Sequence, residues 1–596
     1  MEISIHSKTF LLSLLFILSH PLSFLVSQAC HSVDREALLH FKHNIISDPS
    51  KLLHSWSLSS DCCSAWEGVG CDPSSGRVVH LSRSGLISDN DFIVDTYMSG
   101  TLSPFLGNLS SLQLLDLSNL KNLKGPIPPE FGKLSNLTHL FLYTNKLRGS
   151  VPWTFQYLFR LEKLYLGNND MSGSVPNSVF GALSSLSELG LSGNRFSGPI
   201  PNSIGKLVLL TKLELQGNKF SGRIPTSIGK LKSLTYLDLS QNRISGRLPQ
   251  SIGVLSRLVL LYLNHNKITG AIPSSISGLS SLRFCQLSEN KLRGTLPASL
   301  GQLPKIERLL LENNKLSGKL PATIGHLATL TDIFFSKNRF SGKIPSSFGN
   351  LHNLQTLDLS RNRLSGQIPP QLEKLQRLQT LDLSSNPLRL VSIPSWLSKL
   401  KLFRLLLAKT GVKGQLPMWL SSSSISILDL SGNALAGKLP HWIGNMTSLS
   451  FLNLSNNAFH SSIPIEFINL SLLMDLDLHS NKFSGPLDSI FFKQTQDPLG
   501  QFNSIDLSNN MFTGPIDEHI GERPAMASIK SLILSSNKLI GTIPKQVLDL
   551  KDLQQLDLSK NQLNGEIPPH KANFPVSTFM DNPGLCGAPL PPCNPS

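Results

Sequence analysis

Residues 354–369 read LQTLDLSRNRLSGQIP, and close variants of this phrase recur along the chain at a fixed spacing. The asparagine of the phrase returns every 24 residues, at Asn218, Asn242, Asn266, Asn290, Asn314, Asn338 and Asn362. One such segment is too short to bury its own apolar side chains, so consecutive segments must stack against each other. The sequence therefore predicts a repeat protein that offers a long exposed surface rather than a catalytic pocket.

Each repeat contains a short alternating stretch that predicts a β-strand. Its leucines point inward and the residues between them point outward, because side chains alternate along a strand. The asparagine is expected to be buried and to bond turn backbone, and the Gly and Ile-Pro steps fit a tight turn. We predict a leucine-rich-repeat solenoid, which is a curved, superhelical stack with disulfide-stapled caps. A parallel β-sheet would form its concave face, and short 3-10 or loop segments would form its convex face.

The predicted domain organisation follows the repeat. Residues 1–29 are predicted to be a signal peptide, residues 30–75 an N-terminal capping domain and residues 574–596 a C-terminal cap. Residues 76–573 hold about 20 repeats. Nineteen of them are regular from residue 112 onward, and long repeats lie near residues 473–528.

The signal peptide is predicted from Lys8, from the apolar run 10–18 and from small residues at Ser27 and Ala29. An uncleaved anchor is the alternative, but the run is short for a membrane span. No other apolar run reaches about 18 residues, which predicts that the chain has no transmembrane span. The export signal also argues against a nucleic-acid partner, although the formal net charge is +15. That charge favours an anionic polysaccharide, an acidic protein or a membrane surface.

The seven cysteines fit an oxidising compartment. Cys62 and Cys63 are adjacent, and a bridge between neighbours is strained, so each is expected to pair elsewhere. The predicted pairs are Cys30 with Cys62, Cys63 with Cys71, and Cys586 with Cys593. Cys285 replaces a core leucine and is expected to be a buried free thiol. In the N-terminal cap, Asp34 is predicted to cap the first helix.

No catalytic, cofactor-binding or metal-binding motif survives inspection in context. The stretch 432–438 (GNALAGK) resembles a phosphate-binding loop, but Leu439 stands where Ser or Thr should follow, and the stretch is a repeat phrase. The histidines show no ligand spacing. We therefore predict no enzyme activity and no cofactor.

Aromatic and arginine side chains at outward strand positions are the candidate partner-binding residues, because these types dominate interface hot spots. They are Phe141, Tyr143, Tyr165, Tyr236, Tyr262, Phe284, Arg308 and Phe334. Scattered surface residues are the alternative interpretation.

A basic ridge is predicted from the residue that follows the repeat asparagine, because equivalent positions stack. Its members are Lys146, Arg195, Lys219, Arg243, Lys267, Lys291, Lys315, Arg339 and Arg363, interrupted by Asp170. It could hold an anionic wall polysaccharide or an acidic protein, or it could serve only solubility.

Five N-glycosylation sequons occur, at Asn108, Asn136, Asn445, Asn453 and Asn469. A glycan on Asn453 would lie on an outward strand position and would obstruct the C-terminal half of the concave face. The predicted footprint of a ligand is therefore the N-terminal half and the middle.

The sequence resembles the plant-specific extracellular leucine-rich-repeat class. The resemblance rests on residues 34–42 (DREALLHFK), on 61–72 (DCCSAWEGVGCD), on the L-x-G-x-I-P repeats and on 579–590 (FMDNPGLCGAPL). Such proteins include receptor-kinase ectodomains, receptor-like proteins and secreted polygalacturonase inhibitors.

The resemblance implies a secreted, glycosylated recognition protein of the extracellular space or cell wall. It would bind a peptide, protein or wall-derived ligand in signalling, development or defence, with a receptor kinase at the outer plasma-membrane surface as its partner. The alternatives are an inhibitor of microbial wall-degrading hydrolases and a pectin-associated wall protein. The chain departs from the inhibitors in having about twice as many repeats.

Overall fold

The structure is a computed structural model that describes residues 29–89, 92–495, 499–570 and 573–593. Apart from Ala29, the predicted signal peptide lies outside the described residues. The chain forms two compact units, the first ending at Ser221 and the second beginning at Gly222.

In the first unit, the repeat strands form one sheet whose outward side is called the strand face below. Its strands are Val69–Cys71, Val78–Ser82, Leu114–Asp116, His139–Phe141, Lys163–Tyr165, Glu188–Gly190 and Lys212–Glu214. All neighbours pair in parallel except the first two strands, which are antiparallel.

A second sheet of this unit is built from the segments that follow the repeat asparagines. Its strands are Ile45–Ser47, Met98–Thr101, Lys121–Pro126, Lys146–Gly149, Asp170–Gly173, Arg195–Pro199 and Lys219–Ser221. The first pairing is antiparallel and the others are parallel. Strands Leu86–Asp89 and Phe92–Asp95 form a separate antiparallel hairpin at the insertion in the first repeat.

The second unit repeats this plan with a fully parallel strand-face sheet. Its strands are Tyr236–Asp238, Leu260–Tyr262, Phe284–Gln286, Arg308–Leu310, Asp332–Phe334, Thr356–Asp358, Thr380–Asp382, Arg404–Leu406, Ile427–Asp429, Phe451–Asn453, Asp475–Asp477, Ser504–Asp506, Ser531–Ile533 and Gln555–Asp557. The second sheet is split in two parts. One part holds Ser245–Arg247, Lys267–Gly270, Lys291–Gly294, Lys315–Lys319, Arg339–Gly342 and Arg363–Leu364. The other holds Lys413–Gly414, Ala434–Lys438, Ala458–Ser461, Lys482–Gly485, Met511–Gly514, Lys538–Gly541, Gln562–Glu566 and Gly584–Cys586.

One short helical turn closes most repeats opposite the strand face. The α-helices are Ser32–His43, Cys62–Ala65, Asn177–Ala182, Asp488–Phe491 and Lys545–Leu548. In the first unit the 3-10 helices are Pro104–Asn108, Pro129–Lys133, Trp153–Tyr157 and Asn202–Lys206. In the second unit they are Thr226–Lys230, Gln250–Val254, Ser274–Gly278, Ala298–Gln302, Ala322–His326, Ser346–Asn350, Pro370–Lys374, Ser395–Lys399, Met418–Ser422, His441–Asn445, Ile465–Asn469, Ile520–Glu522, Pro524–Met526 and Val576–Thr578.

The predicted alternation of the strands is confirmed. In strand Phe284–Gln286 the central residue is buried while its neighbours are half-exposed, and the same pattern holds in strand Thr356–Asp358. The buried leucines of successive repeats therefore form the core, and the outward positions are free to carry other chemistry.

The repeat asparagines form a buried ladder, as the sequence predicts. The Asn290 amide donates to the carbonyl oxygens of Leu263, Leu287 and Ser288 at 2.9, 3.2 and 3.1 Å. Its Oδ1 accepts from the backbone N–H of Ile268 at 3.0 Å. One side chain thus satisfies four backbone groups in two neighbouring repeats, and the same arrangement recurs at Asn314.

Disulfides close both ends of the described chain. Cys30 is bonded to Cys62, Cys63 to Cys71 and Cys586 to Cys593, which are the pairs expected from the sequence. Cys285 is a buried free thiol, and burial raises its pKa to about 12. It is therefore protonated and unreactive at neutral pH.

The predicted helix-capping role of Asp34 is wrong. The first helix already begins at Ser32, so Asp34 lies inside its first turn and is fully buried. Its carboxylate accepts from Nε of Arg77 at 3.0 Å and from the backbone N–H of Val78 at 2.8 Å. Asp34 instead ties the capping helix to the first repeat strand, because a buried carboxylate needs a charged partner more than a helix end needs a cap.

The long repeats near residues 473–528 keep their strands in register, and the second of them contains two 3-10 turns, Ile520–Glu522 and Pro524–Met526. Arg523 lies over the ring of Phe492, with its guanidinium carbon 3.9 Å from the ring centre, and its Nε donates to Asp517 at 2.8 Å. In the described part of the chain, no helix is both long and apolar enough to cross a bilayer.

Lys493, in the first long repeat, is buried, and this predicts a pH-dependent stability. Its side chain is 3% exposed, its ammonium lies 4.7 Å from the Phe502 ring centre and it donates to the Gly500 carbonyl. Burial lowers its pKa to about 8 from 10.5. The folded state therefore loses this proton first, and the free energy of unfolding should rise between about pH 8 and pH 10.5 by about 3 kcal/mol.

The measurement is urea unfolding of the protein and of Lys493→Met across that pH range. All other titrating groups cancel in the difference between the two proteins. The free energy of unfolding of the unsubstituted protein should rise relative to that of Lys493→Met as the pH rises. If the difference between the two free energies does not change with pH, Lys493 titrates normally.

Candidate ligand-binding surfaces

Three predicted residues come together on the strand face of the first unit and form what we call the aromatic box. The ring centres of Phe141 and Tyr165 lie 5.8 Å apart, and those of Tyr143 and Tyr165 lie 6.4 Å apart. The ring of His139 packs edge-on against Phe141 at 5.8 Å. Strands His139–Phe141 and Lys163–Tyr165 pair directly, with Phe141 opposite Tyr165, which explains the contact.

Tyr165 is held in place by a charged partner on the next strand. Its hydroxyl donates to Oε2 of Glu188 at 2.6 Å, and Nζ of Lys163 lies 2.8 Å from Oε1 of Glu188. Burial raises the pKa of Tyr165, and the hydrogen bond to Glu188 raises it further. Burial also raises the pKa of Glu188, but the bonds from Lys163 and Tyr165 outweigh this and leave the pKa below its usual value.

Gly190 makes room for the Tyr165 ring. It lies directly opposite Tyr165 in the neighbouring strand, and a Cβ atom there would approach the ring Cδ1 to 2.4 Å. Gly190 has no positive φ value to explain its presence, so the space for the ring is its structural reason. The signal for this contact in the sequence is a glycine at an outward strand position, which is not among the predicted site residues.

The aromatic box borders an open cavity of about 460 Å³. Phe141, Tyr143 and Tyr165 form its aromatic wall, and the small residues Gly167 and Ser192 also line it. Asp116 and the Lys163–Glu188 pair supply the charges of its rim. The cavity therefore combines apolar ring faces with charged groups at fixed positions.

In the second unit, four predicted residues form a continuous ladder across four neighbouring strands, which we call the aromatic ladder. The ring centres of Tyr236 and Tyr262 lie 5.8 Å apart, and those of Tyr262 and Phe284 lie 5.0 Å apart. The Arg308 guanidinium carbon lies 5.0 Å from the Phe284 ring centre. Phe334 lies on the next strand beyond Arg308 and faces outward from the same sheet.

Partly buried carboxylates accompany the ladder. Burial raises the pKa of Tyr262, and the nearby Asp238 carboxylate adds to the effect. Burial also raises the pKa values of Asp238 and Glu312. Among the described residues, Oε2 of Glu312 is buried without a hydrogen-bond partner. Nε of Arg308 lies 3.3 Å from Oδ2 of Asp332, which orients the guanidinium over Phe284.

All members of the predicted basic ridge are exposed, and all except Arg243 begin a strand of the second sheet. Arg243 lies two residues before the strand Ser245–Arg247. In the first unit their charge is partly compensated. Nη2 of Arg195 lies 2.7 Å from Oδ1 of Asp170, and Nζ of Lys146 donates to Asn122 at 2.7 Å.

In the second unit, further cations surround the ridge and create what we call the basic surface. Its members are Arg243, Arg247, Lys267, Lys291, Arg293, Lys315, Lys319, Arg339, Lys343 and Arg363. The acidic residues between positions 243 and 363 are Glu289, Glu307, Glu312, Asp332 and Asp358, and they lie on the strands of the strand face or next to them. Within the described residues, none of the ten cations forms an ion pair.

The predicted glycosylation sites fall into two groups. Asn108, Asn445 and Asn469 are exposed at the last position of a 3-10 helix. Asn136 is half-buried, and its amide donates to the Ser110 carbonyl at 2.9 Å. Asn453 faces outward on its strand but is half-buried, and its Oδ1 accepts from Ser455 N–H at 3.0 Å. Occupancy of all five sites stays a prediction.

The structure brings together one group that sequence spacing did not reveal, formed by Asp477, His479 and Asp506. Nδ1 of His479 lies 2.6 Å from Oδ1 of Asp477, and Nε2 accepts from the Asn456 amide at 2.7 Å. Both ring nitrogens are therefore engaged in protein hydrogen bonds, which favours a structural role. The residues meet because Asp477 and Asp506 are paired in adjacent parallel strands 29 residues apart.

The fold and these surfaces define a leucine-rich-repeat protein of the ligand-binding class. The leucine rich repeat N-terminal domain family matches residues 31–72, and the leucine-rich repeat region family matches residues 192–291. Two-copy leucine rich repeats match residues 352–399, and single leucine rich repeats match five further segments, including 305–327 and 552–574.

Solved structures extend the similarity over most of the chain. The plant peptide hormone receptor RGFR1, in complex with RGF2, is 32% identical with a TM-score of 0.70, over 82% of this chain and 81% of that one. The ectodomain of the Arabidopsis receptor kinase HAESA, in complex with an extended IDA peptide hormone, is 32% identical with a TM-score of 0.69. That match covers 94% of this chain and 99% of that one. The chain belongs to the plant extracellular leucine-rich-repeat family.

Curated relatives match over shorter segments. A polygalacturonase inhibitor of Vitis vinifera is 33% identical over 135 residues, which are 22% of this chain and 36% of the inhibitor. The chain spans about a third of the length of the first curated relatives that it matches, 34% and 38%. Families of this ligand-binding type are generally non-enzymatic.

Proposed function

We propose that this protein is a secreted, glycosylated recognition protein that binds a peptide or protein ligand on its strand face. It would act in plant signalling, development or defence, with a membrane receptor kinase as its partner. The observation that carries the proposal is the aromatic ladder of Tyr236, Tyr262, Phe284 and Arg308.

The ladder has the physical properties of an interface hot spot. Its rings are half-exposed, so a ligand that covers them removes apolar surface from water. They stand on a hydrogen-bonded sheet, so little conformational entropy is lost when the ligand binds. Aromatic and arginine side chains in such rigid positions contribute most of the binding energy of protein interfaces.

The relatives support the same choice of ligand class. RGFR1 and HAESA are a peptide hormone receptor and a receptor kinase, and both structures contain a peptide hormone. A further HAESA structure, 31% identical to this chain with a TM-score of 0.64, also contains the co-receptor SERK1.

The test is affinity capture with the purified protein from plant membrane extract and, in parallel, from wall-fluid protein. Specific recovery of a receptor kinase or of a secreted peptide would support the proposal. Recovery of a polygalacturonase alone, with inhibition of its activity, would replace it by the hydrolase-inhibitor function to which the Vitis relative points.

A second candidate function is attachment to an anionic wall polysaccharide, and the basic surface of the second unit favours it. Ten exposed cations without an ion pair among the described residues create a strong local positive potential. A polyuronate chain carries regularly spaced carboxylates that could follow such a surface.

We expect the protein to bind polygalacturonate and to lose this binding at high salt, because exposed charges are screened. The double substitution Lys291→Glu and Lys315→Glu should weaken binding about tenfold or more, because each reversal replaces attraction by repulsion. The control reverses two exposed cations outside the basic surface, Arg257→Glu and Lys305→Glu. Equal losses in both variants would indicate net charge rather than this surface.

A further inference from the structure

The aromatic box of the first unit has a charge arrangement that restricts its ligand. Glu188 is compensated, since it bonds both Lys163 and Tyr165. Asp116 differs, because within the described part of the chain its Oδ1 accepts only from the N–H and the hydroxyl of Ser118, at 3.0 and 2.6 Å. Among the described residues, no cation forms an ion pair with Asp116. The cavity thus holds one carboxylate whose charge is not balanced.

Asp116 and the aromatic rings of the box line the same cavity. Asp116 pairs directly with Phe141 in the neighbouring strand, so the carboxylate and the ring lie side by side on the strand face. The face of an aromatic ring carries negative potential and attracts cations. One ring of the box already does so, because the ammonium of Lys212 lies 5.5 Å from the ring centre of Tyr165.

The size of the cavity suits an extended side chain. The lining residues Gly167 and Ser192 are small and leave space for a ligand side chain. The cavity of about 460 Å³ is open to solvent on the strand face. A lysine or arginine side chain could lay its methylene stem along the rings of Phe141 and Tyr143 and still reach Asp116 with its charged end. An acidic side chain would meet Asp116 with repulsion.

We propose that the aromatic box recognises a lysine or arginine side chain of a polypeptide ligand, with its cation between the Phe141 and Tyr143 rings and the Asp116 carboxylate. This inference rests on the proposed function, since it names one residue class of the ligand assigned to the strand face. It adds a specificity that the aromatic ladder of the second unit does not provide.

The test uses the full chain and two probes of equal shape, N-acetyl-arginine amide and N-acetyl-citrulline amide, with binding followed by NMR of the probe. The arginine probe should bind about tenfold more tightly than the citrulline probe, because only the guanidinium is charged. Asp116→Asn should remove most of this difference in affinity. Phe141→Leu should weaken the binding of the arginine probe about fivefold.

A matched control is Asp429→Asn. Asp429 also faces outward on a repeat strand, and its Oδ1 accepts from the Ser431 N–H at 2.9 Å, as Asp116 does from Ser118. This variant should bind both probes as the unsubstituted protein does. Thermal melting of each variant shows that the fold is retained.

Equal binding of the two probes, absence of arginine binding, or unchanged binding in Asp116→Asn would each overturn the inference. None of these results bears on the proposed function, which is tested by captured partners and by the aromatic ladder. If Asp116→Asn and Phe141→Leu still bind the captured partner while substitutions in the aromatic ladder abolish this binding, the proposed function is supported and the cation site is not.

Discussion

Replacing Tyr262 and Phe284 together by aspartate is expected to abolish capture of the polypeptide partner. The two rings are in contact in the middle of the aromatic ladder, and Arg308 lies over Phe284. Two new carboxylates would remove the apolar surface and introduce charges that lose hydration when the ligand covers them. Loss of two hot-spot residues should weaken binding about 100-fold or more.

The fold should tolerate these changes, because both side chains face outward from the sheet and are half-exposed. The control places the same two charges on another pair of neighbouring strands, with Ser531→Asp and Gln555→Asp, which are paired directly in the sheet. Binding would be measured by surface plasmon resonance with the captured partner. If the control weakens binding as much as the ladder variant does, the contact does not depend on the ladder.

Asn290→Ala is expected to lower the free energy of unfolding by about 3 to 5 kcal/mol, because four backbone groups lose their partner. The amide bonds to Leu263, Leu287 and Ser288, and the bond from Ile268, all depend on this one buried side chain. Alanine is too small to replace them and leaves polar groups buried without a hydrogen bond.

Urea unfolding and hydrogen exchange provide the measurement. The amide of Ile268 should exchange faster in the variant, since its acceptor is removed. Asn350→Ala is the matched control, because Asn350 is exposed at the end of its 3-10 helix and its side chain forms no hydrogen bond among the described residues. Similar unfolding midpoints for the two variants would show that the ladder bonds contribute little.

The architecture could be predicted from the sequence because the repeat determines most of it. The spacing of leucines fixes which residues face the core, and the asparagine can be buried only if it bonds the turn backbone. These constraints act within 24 residues or between direct neighbours, so a local pattern contains them.

The missed features depend on distances that the pattern does not encode. Asp34 was expected at a helix end, but its partner Arg77 is 43 residues away and only the fold brings the two together. The space that Gly190 leaves for Tyr165 depends on direct register across two strands. Outward residues such as Tyr236 and Tyr262 could be named as candidates, whereas their contact depends on rotamers chosen in the folded protein.

Inward and outward side chains of each strand have separate roles, and this affects how the protein can change its ligand specificity. The inward leucines and the buried asparagines hold the repeat together, while the outward side chains make few demands on it. A single nucleotide change at an outward position can therefore alter what the surface binds and leave the scaffold intact. Each outward position of the strand face can be substituted independently of the others. The protein can therefore acquire new ligands through successive single substitutions without loss of folding.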